Sequence, residues 1–207
     1  MSASLSVVIP CYRSHATLPE LLRRLTAALE TAGHPFEVIF VEDCGGDNTW
    51  QVIQELARKD ARVRGIKLAR NYGQHNALLC GIRAARGEII VTIDDDLQNP
   101  PEEIHKLLAK LQEGHDVVYG SPQSETHGFL RNQASRITKL ALQGTMGVES
   151  ASKVSAFRVF RTRLRDAFEA YRSPSVNIDV LLTWGTTSFS SVNVRQDERL
   201  IGDSGYS

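Results

Sequence analysis

The sequence predicts an α/β fold, a mostly parallel sheet sandwiched between helices, and three observations carry that prediction. Short β-branched runs alternate with stretches whose apolar residues recur at helical spacing. The β-branched runs are almost continuously apolar, as expected of strands covered on both faces. Glycine and proline fall between the two kinds of segment, where chain reversals belong.

The elements follow in order. The first strand is "LSVVIP", and the helical pattern "TLPELLRRLTAALETAG" after it closes at Gly33. "FEVIFV" is the second strand and "NTWQVIQELARKD" its helix; "RVRGIKL" is the third, followed by "NALLCGIRAARG", which closes at Gly87. The fourth strand, "EIIVTI", runs into the acidic "DDDLQ". Asn99 then serves as N-cap for "PEEIHKLLAKLQEG", with Pro100 and Pro101 in its first turn and Gly114 at its end. "DVVYG" is the fifth strand. After about residue 125 the alternation loosens into a basic helix "GFLRNQASRITKLALQGTMG", a strand at "SAFRVF", helices near 162–171 and 177–184, and a strand at "SFSSVNVRQ". Neither a repeat nor a linker interrupts the 207 residues, so one domain is expected over 1–207, its halves meeting near residue 120.

Composition excludes several classes. With 24 basic and 24 acidic side chains, the chain lacks the charge excess of a nucleic-acid binder. Cys11, Cys44 and Cys80 are odd in number and far apart, which argues against a disulfide framework or zinc site and for a reducing cytoplasm. "MSASLSVVIP" has neither the basic nor the long apolar region of a secretory signal. No run approaches the roughly 20 apolar residues that cross a bilayer.

In an open parallel sheet, ligands bind beyond the carboxyl ends of the strands. The residues following each strand are therefore the candidates: Pro10 to Arg13, Glu42 to Asp47, Arg70 to His75, and Asp94 to Gln98. Asp94 and Asp96, one residue apart, with Gln98 two further on, present hard oxygen ligands. Magnesium-type cations take one or two carboxylates and leave the other positions to phosphates and water. The pattern points to a cation that binds a diphosphate. Glu42 and Asp43 offer acceptors to a base or ribose, Arg70 a cation to a phosphate, and Gly73 a close backbone approach, with Asn71 and His75 beside them. A plain acidic turn at Glu42 and a capped loop at His75 are the competing structural readings. Neither a G-x-G-x-x-G nor a P-loop is present, so any nucleotide is held by another architecture. Arg131, Ser135 and Lys139 recur every four residues and share one helix face, suited to a phosphate monoester or anionic headgroups. Arg199 and Ser204 lie in a Gly-containing terminal segment that suits a lid or a tail.

Taken together, "SVVIPCY", "FVEDCGGDNTW", "RNYGQHNALLCGI", "IDDDLQNPPEEI", "DVVYGS", "FLRNQASRI" and "ERLIGDSGYS" resemble, in order and over almost the whole chain, family 2 glycosyltransferases of GT-A, Rossmann-like fold. Within that family they are most similar to the polyprenyl-phosphate group, typified by dolichol-phosphate mannose synthase and the undecaprenyl-phosphate aminoarabinose transferase. The resemblance implies transfer from a nucleotide sugar, with UDP preferred, to a polyprenyl phosphate. It also implies Mg2+ or Mn2+ as cofactor and inversion at the anomeric carbon. Pro10, Tyr12, Glu42, Asp43, Arg70, Asp94 and Asp95 would bind the nucleotide sugar. Asp94, Asp96 and Gln98 would form a D-x-D-x-Q metal motif. Arg131, Ser135, Arg199 and Ser204 would take the acceptor phosphate, and Asp96 with Arg131 would be catalytic.

A cytoplasmic enzyme, peripheral at the inner membrane face, is implied, with the anchoring helices that such proteins often carry after this domain expected beyond Ser207. A homo-oligomer stays open. Departures from the group's pattern are Arg13 and Ser14 for Asn-Glu, Glu42 for aspartate, Cys44 and Gly45 for Gly-Ser, Pro122 for arginine, Ser152 for aspartate and Gly205 for lysine. Two alternatives stay open as well. One is a family member acting on a carbohydrate hydroxyl, which needs a general base and has Asp179 as its late candidate. The other is a non-catalytic nucleotide-binding module.

Overall fold

The computed structural model describes residues 2–122 and 154–198. It begins with β1 (Leu5–Cys11), α1 (Leu18–Thr31), β2 (Phe36–Glu42), α2 (Thr49–Lys59), β3 (Val63–Lys67), α3 (Gln74–Ala84) and β4 (Ile89–Thr92). A 3₁₀ turn (Pro101–Glu103) leads into α4 (Ile104–Gln112), followed by β5 (Val117–Pro122), β6 (Arg158–Arg161), a 3₁₀ segment (Thr162–Phe168), α5 (Ile178–Gly185) and β7 (Phe189–Val194).

Among the described residues these strands form one seven-stranded sheet in the order β3-β2-β1-β4-β6-β5-β7. The first four strands are mutually parallel, as their apolar continuity predicts. β6 runs antiparallel between β4 and β5, placing Arg158 across from Thr92 on one side and Tyr119 on the other. The alternation pattern did not predict this insertion, because a four-residue strand carries no directional signal of its own.

Strand parity builds the two halves of the core. Val7, Ile9, Val38, Phe40 and Val91 face α1, α2 and α4, where Leu21, Leu25, Ile53 and Leu107 meet them. Val8, Ile39, Val41 and Ile90 face α3 and α5, against Leu78, Ile82, Leu181 and Leu182. α3 lies so close to the sheet that a Cβ on Gly81 would stand 2.4 Å from the Val8 side chain.

Two helix-boundary expectations change. Gly33 (φ 69°) and Gly114 (φ 105°) do close α1 and α4 in left-handed conformation. Gly87 instead lies against the β1 backbone, where a Cβ would meet the Leu5 carbonyl carbon at 2.7 Å. The turn before α4 opens at Pro100 without a side-chain cap, so Asn99 is not its N-cap. The expected helix near 162–171 is the shorter 3₁₀ segment.

Candidate functional site

The order of the sheet reverses at β1, whose neighbours are β2 and β4, and such a switch point opens a crevice at the strands' carboxyl ends. The chain leaves each of these strands through a sharp turn. Arg13 (φ 56°), Cys44 (φ 54°) and Leu97 (φ 63°) are the non-glycine residues with left-handed backbone among those described, one after each of the three strands. Each costs about 1–2 kcal/mol relative to an ordinary conformation. Such strain persists only where the surrounding structure holds it, and here it is gathered at three adjacent loops.

Hydrogen bonds tie the loops together. Asp95 reaches from the β4 loop to the β1 loop, where Tyr12 N–H (3.2 Å) and the Ser14 hydroxyl both donate to its Oδ2. Ser14 N–H donates to Thr49 Oγ1 at 2.8 Å, anchoring the same loop to the start of α2. Arg13 donates from Nε to the Gly45 carbonyl at 3.0 Å and lies over the Tyr12 ring. Gly45 permits that approach, since a Cβ there would stand 2.8 Å from the Arg13 backbone nitrogen. The departures at Arg13 and Gly45 thus touch one another, while Ser14 joins Asp95 and Thr49.

Asp43, fully buried, accepts from Tyr72 N–H (2.7 Å) and Gly73 N–H (2.8 Å), which fixes the loop entering α3. Exposed Arg70 stacks over Tyr72 with its guanidinium 4.6 Å from the ring centre. Glu42 accepts Gly45 N–H on Oε1 at 2.7 Å. Its Oε2 is buried and, among the described residues, is the buried side-chain oxygen without a partner. Pro10 is buried within β1, paired in register with Val41.

The three aspartates take different partners. Asp94 accepts from Gln74 Nε2 at 2.6 Å, so the first turn of α3 holds it. Asp96 accepts Gln98 N–H at 3.0 Å within its own loop, and the Gln98 carbonyl in turn accepts Asp197 N–H at 2.8 Å. Asp94 keeps some surface at the rim, yet protein encloses it closely. Burial first, then the Asp96 and Asp95 charges, push its carboxyl up to about 7, while Arg158 and Gln74 oppose the rise. Burial likewise pushes Asp95 up to about 6 against the pull of Ser14 and Tyr12. Crowded carboxylates with raised pKa values are what a divalent cation would relieve. No group of three or more His, Cys, Asp or Glu side chains among the described residues forms a ready-made cage. Two carboxylates beside a diphosphate need none, so Asp94 and Asp96 fit a cation that arrives with its ligand.

Behind this loop lies a buried network that sequence reasoning missed. Arg158 donates from Nε to Thr92 Oγ1 (3.0 Å) and from Nη1 to Asp179, whose Oδ1 also accepts the Tyr119 hydroxyl at 2.9 Å. Asp179, the candidate base for a hydroxyl acceptor, is therefore engaged in a buried ion pair. His75 accepts Ile178 N–H on Nδ1 at 3.3 Å, and burial pushes its pKa down. An Nδ1 that accepts requires the proton on Nε2 in the neutral ring. A lone arginine amid the apolar "SAFRVF" was the available signal for Arg158. Gln74 stood inside the quoted "RNYGQH" without a role. Arg131, Ser135, Arg199 and Ser204 lie outside the described residues.

A GT-A architecture with an acidic loop at its switch point defines a class, and comparison places the chain within it. The protein belongs to glycosyl transferase family 2, whose family model matches residues 6–172. It is 38% identical over 203 residues to a Pseudomonas paraeruginosa (strain DSM 24068 / PA7) protein named undecaprenyl-phosphate 4-deoxy-4-formamido-L-arabinose transferase, covering 98% of this chain and 60% of the relative. A protein of the same name from Enterobacter sp. (strain 638) is 37% identical, with 98% and 62% covered. The chain thus spans about three-fifths of the length of these relatives.

Two solved structures share the fold. The mannosyltransferase PcManGT from Pyrobaculum calidifontis, in complex with GDP-Man and Mn2+, superposes with a TM-score of 0.67 at 16% identity, covering 100% of this chain and 59% of that one. Glucosyl-3-phosphoglycerate synthase from Mycobacterium tuberculosis, in complex with Mn2+, UDP and phosphoglyceric acid, gives 0.64 at 18% identity, with 97% and 72% covered.

Proposed function

We propose that this chain transfers a sugar from a UDP-sugar to a polyprenyl phosphate at the inner face of a membrane, with inversion at the anomeric carbon and dependence on Mg2+ or Mn2+. The observation that carries the proposal is the convergence of Glu42, Asp43 and Asp94 to Asp96 on loops braced against one another at the switch point. The relatives' name supplies the acceptor class and makes 4-deoxy-4-formamido-L-arabinose the first sugar to test. Residues 1–207 would act as one domain, with the nucleotide sugar held over about 1–120 and the acceptor over the remainder.

In this reading Pro10, Tyr12, Glu42 and Asp43 line the nucleoside pocket, and the buried Glu42 Oε2 lies within it. Arg70 meets the diphosphate from the β3 side, and Asp95 keeps the β1 and β4 loops at a fixed separation around the donor. Asp94, Asp96 and Gln98 hold the cation, which when bound supplies positive charge to the departing diphosphate. The nucleophile is a phosphate oxygen of the lipid, ionised near neutral pH because the second phosphate pKa is about 6. It needs orientation and charge screening rather than a protein base. The commitment of Asp179 to Arg158 supports that economy over a hydroxyl acceptor. Arg131, Ser135, Arg199 and Ser204 are assigned to the acceptor phosphate.

The test gives the protein the labelled UDP-sugar with undecaprenyl phosphate and, separately, with oligosaccharide acceptors. Label should enter the lipid, and neither excess EDTA nor Asp96→Asn should permit transfer while the variant melts like the parent. Label entering only oligosaccharide would overturn the acceptor assignment. Full turnover in EDTA would overturn the cation's role.

A further inference from the structure

The ion pair behind the aspartate loop is more elaborate than the fold requires. Arg158 is 2% exposed and Asp179 5%. Hydrogen bonds join them into one network: Arg158 with Thr92 and Asp179, Tyr119 with Asp179, and Thr92 with the Ala156 carbonyl at 2.6 Å. Such a pair is a poor source of stability, because desolvating both charges offsets most of their attraction. Its position suggests another use. Side chains alternate along a strand, so Thr92 shares with Ile90 the side of β4 toward α3, and Asp94, two residues past Thr92, is met by Gln74 of α3. Arg158, held on Thr92, is accordingly a cation that acts on Asp94 from within the protein. Asp179 comes from the first turn of α5, which His75 grips one residue along at Ile178. Gln74 and His75, neighbours on α3, thus hold Asp94 with one side chain and the Asp179-bearing turn with the other.

We propose that Arg158 and Asp179 are positioning residues that set the charge behind the aspartate loop. Asp179 cancels enough of the Arg158 charge for Asp94 and Asp96 to keep their attraction for a divalent cation. Neither residue ligates the cation. Without Asp179, Arg158 is an internal competitor for the same carboxylates; without Arg158, the loop gains net negative charge. This inference rests on the cation reading of the loop given above.

The test is Mn2+ binding in the presence of UDP, read as loss of the free-ion electron paramagnetic resonance signal, on the protein and three variants. Asp179→Asn should weaken Mn2+ binding about tenfold, the scale of one uncompensated charge several ångströms away in protein. Arg158→Gln should tighten it, and Arg158→Gln/Asp179→Asn should return it to within about twofold of the parent, since the charges are removed together. Each variant that melts cooperatively is read by itself, so failure of one single variant to fold leaves the other and the neutral double variant to decide. Affinities that do not move, or that fall in all three variants, would overturn the inference and leave the cation site standing. A parent protein that binds no Mn2+ with UDP would overturn both.

Discussion

Asp43→Ala probes how the rim is built. The Asp43 carboxylate is fully buried and accepts two backbone N–H groups, from Tyr72 at 2.7 Å and Gly73 at 2.8 Å. Hydrogen bonds to a charged group contribute roughly 1.5–3 kcal/mol each. Both donors lie in a loop that keeps access to water, since Tyr72 is 45% exposed, so water recovers part of the loss. We expect Asp43→Ala to cost about 3 kcal/mol in urea-induced unfolding, and Asp43→Asn, which keeps one acceptor oxygen, about half of that. For a chain of this size the alanine variant corresponds to a Tm lowered by roughly 6–12 °C. Amide exchange should quicken at Tyr72 and Gly73 before it does elsewhere, because their partner is gone. A loss below about 1 kcal/mol with unchanged exchange would refute the anchoring account.

Two further outcomes follow from the geometry. Asp94 and Asp95 are raised from 3.8 to about 7 and about 6, so the folded, cation-free protein holds protons that the unfolded chain has already released. Their contribution to stability therefore falls as pH rises between about 4 and 7, while half-buried His75, with its pKa lowered, contributes the opposite slope below its ordinary value. Asp94→Asn in EDTA should accordingly gain stability relative to the parent between about pH 4 and pH 7 in paired thermal melts, and a constant difference would contradict this. Gly45→Ala would drive a Cβ to 2.8 Å from the Arg13 backbone nitrogen and displace the turn after β1 or β2. UDP binding by calorimetry should weaken at least about tenfold, and an unchanged affinity would place the nucleotide elsewhere.

The parallel strands were legible because burial on both faces leaves a local mark, a run of β-branched residues, in "LSVVIP", "FEVIFV" and "EIIVTI". The rim was legible for a related reason. Ligands bind past the carboxyl ends of such strands, so reading the next few residues already found Tyr12, Asp43, Asp94, Asp95 and Asp96. The partners of those residues were not legible. Asp95 is paired with Tyr12 and Ser14 across 83 and 81 positions of sequence, and Gln74 with Asp94 across 20. Gly87 looked like a helix stop because a glycine beside a helix usually is one, whereas here the β1 backbone claims its missing side chain.

By itself, the sequence determined the α/β class, the presence of the first five strands along the chain and the loops on which polar groups gather, since each is written in near-neighbour patterns of hydrophobicity and turn chemistry. Tertiary structure alone decided that β6 runs backwards between β4 and β5 and that Arg158 thereby comes to lie beside Thr92. It alone decided that three adjacent aspartates face three different environments. Sheet order and side-chain enclosure are set by the packing of distant segments, which no local run of residues encodes.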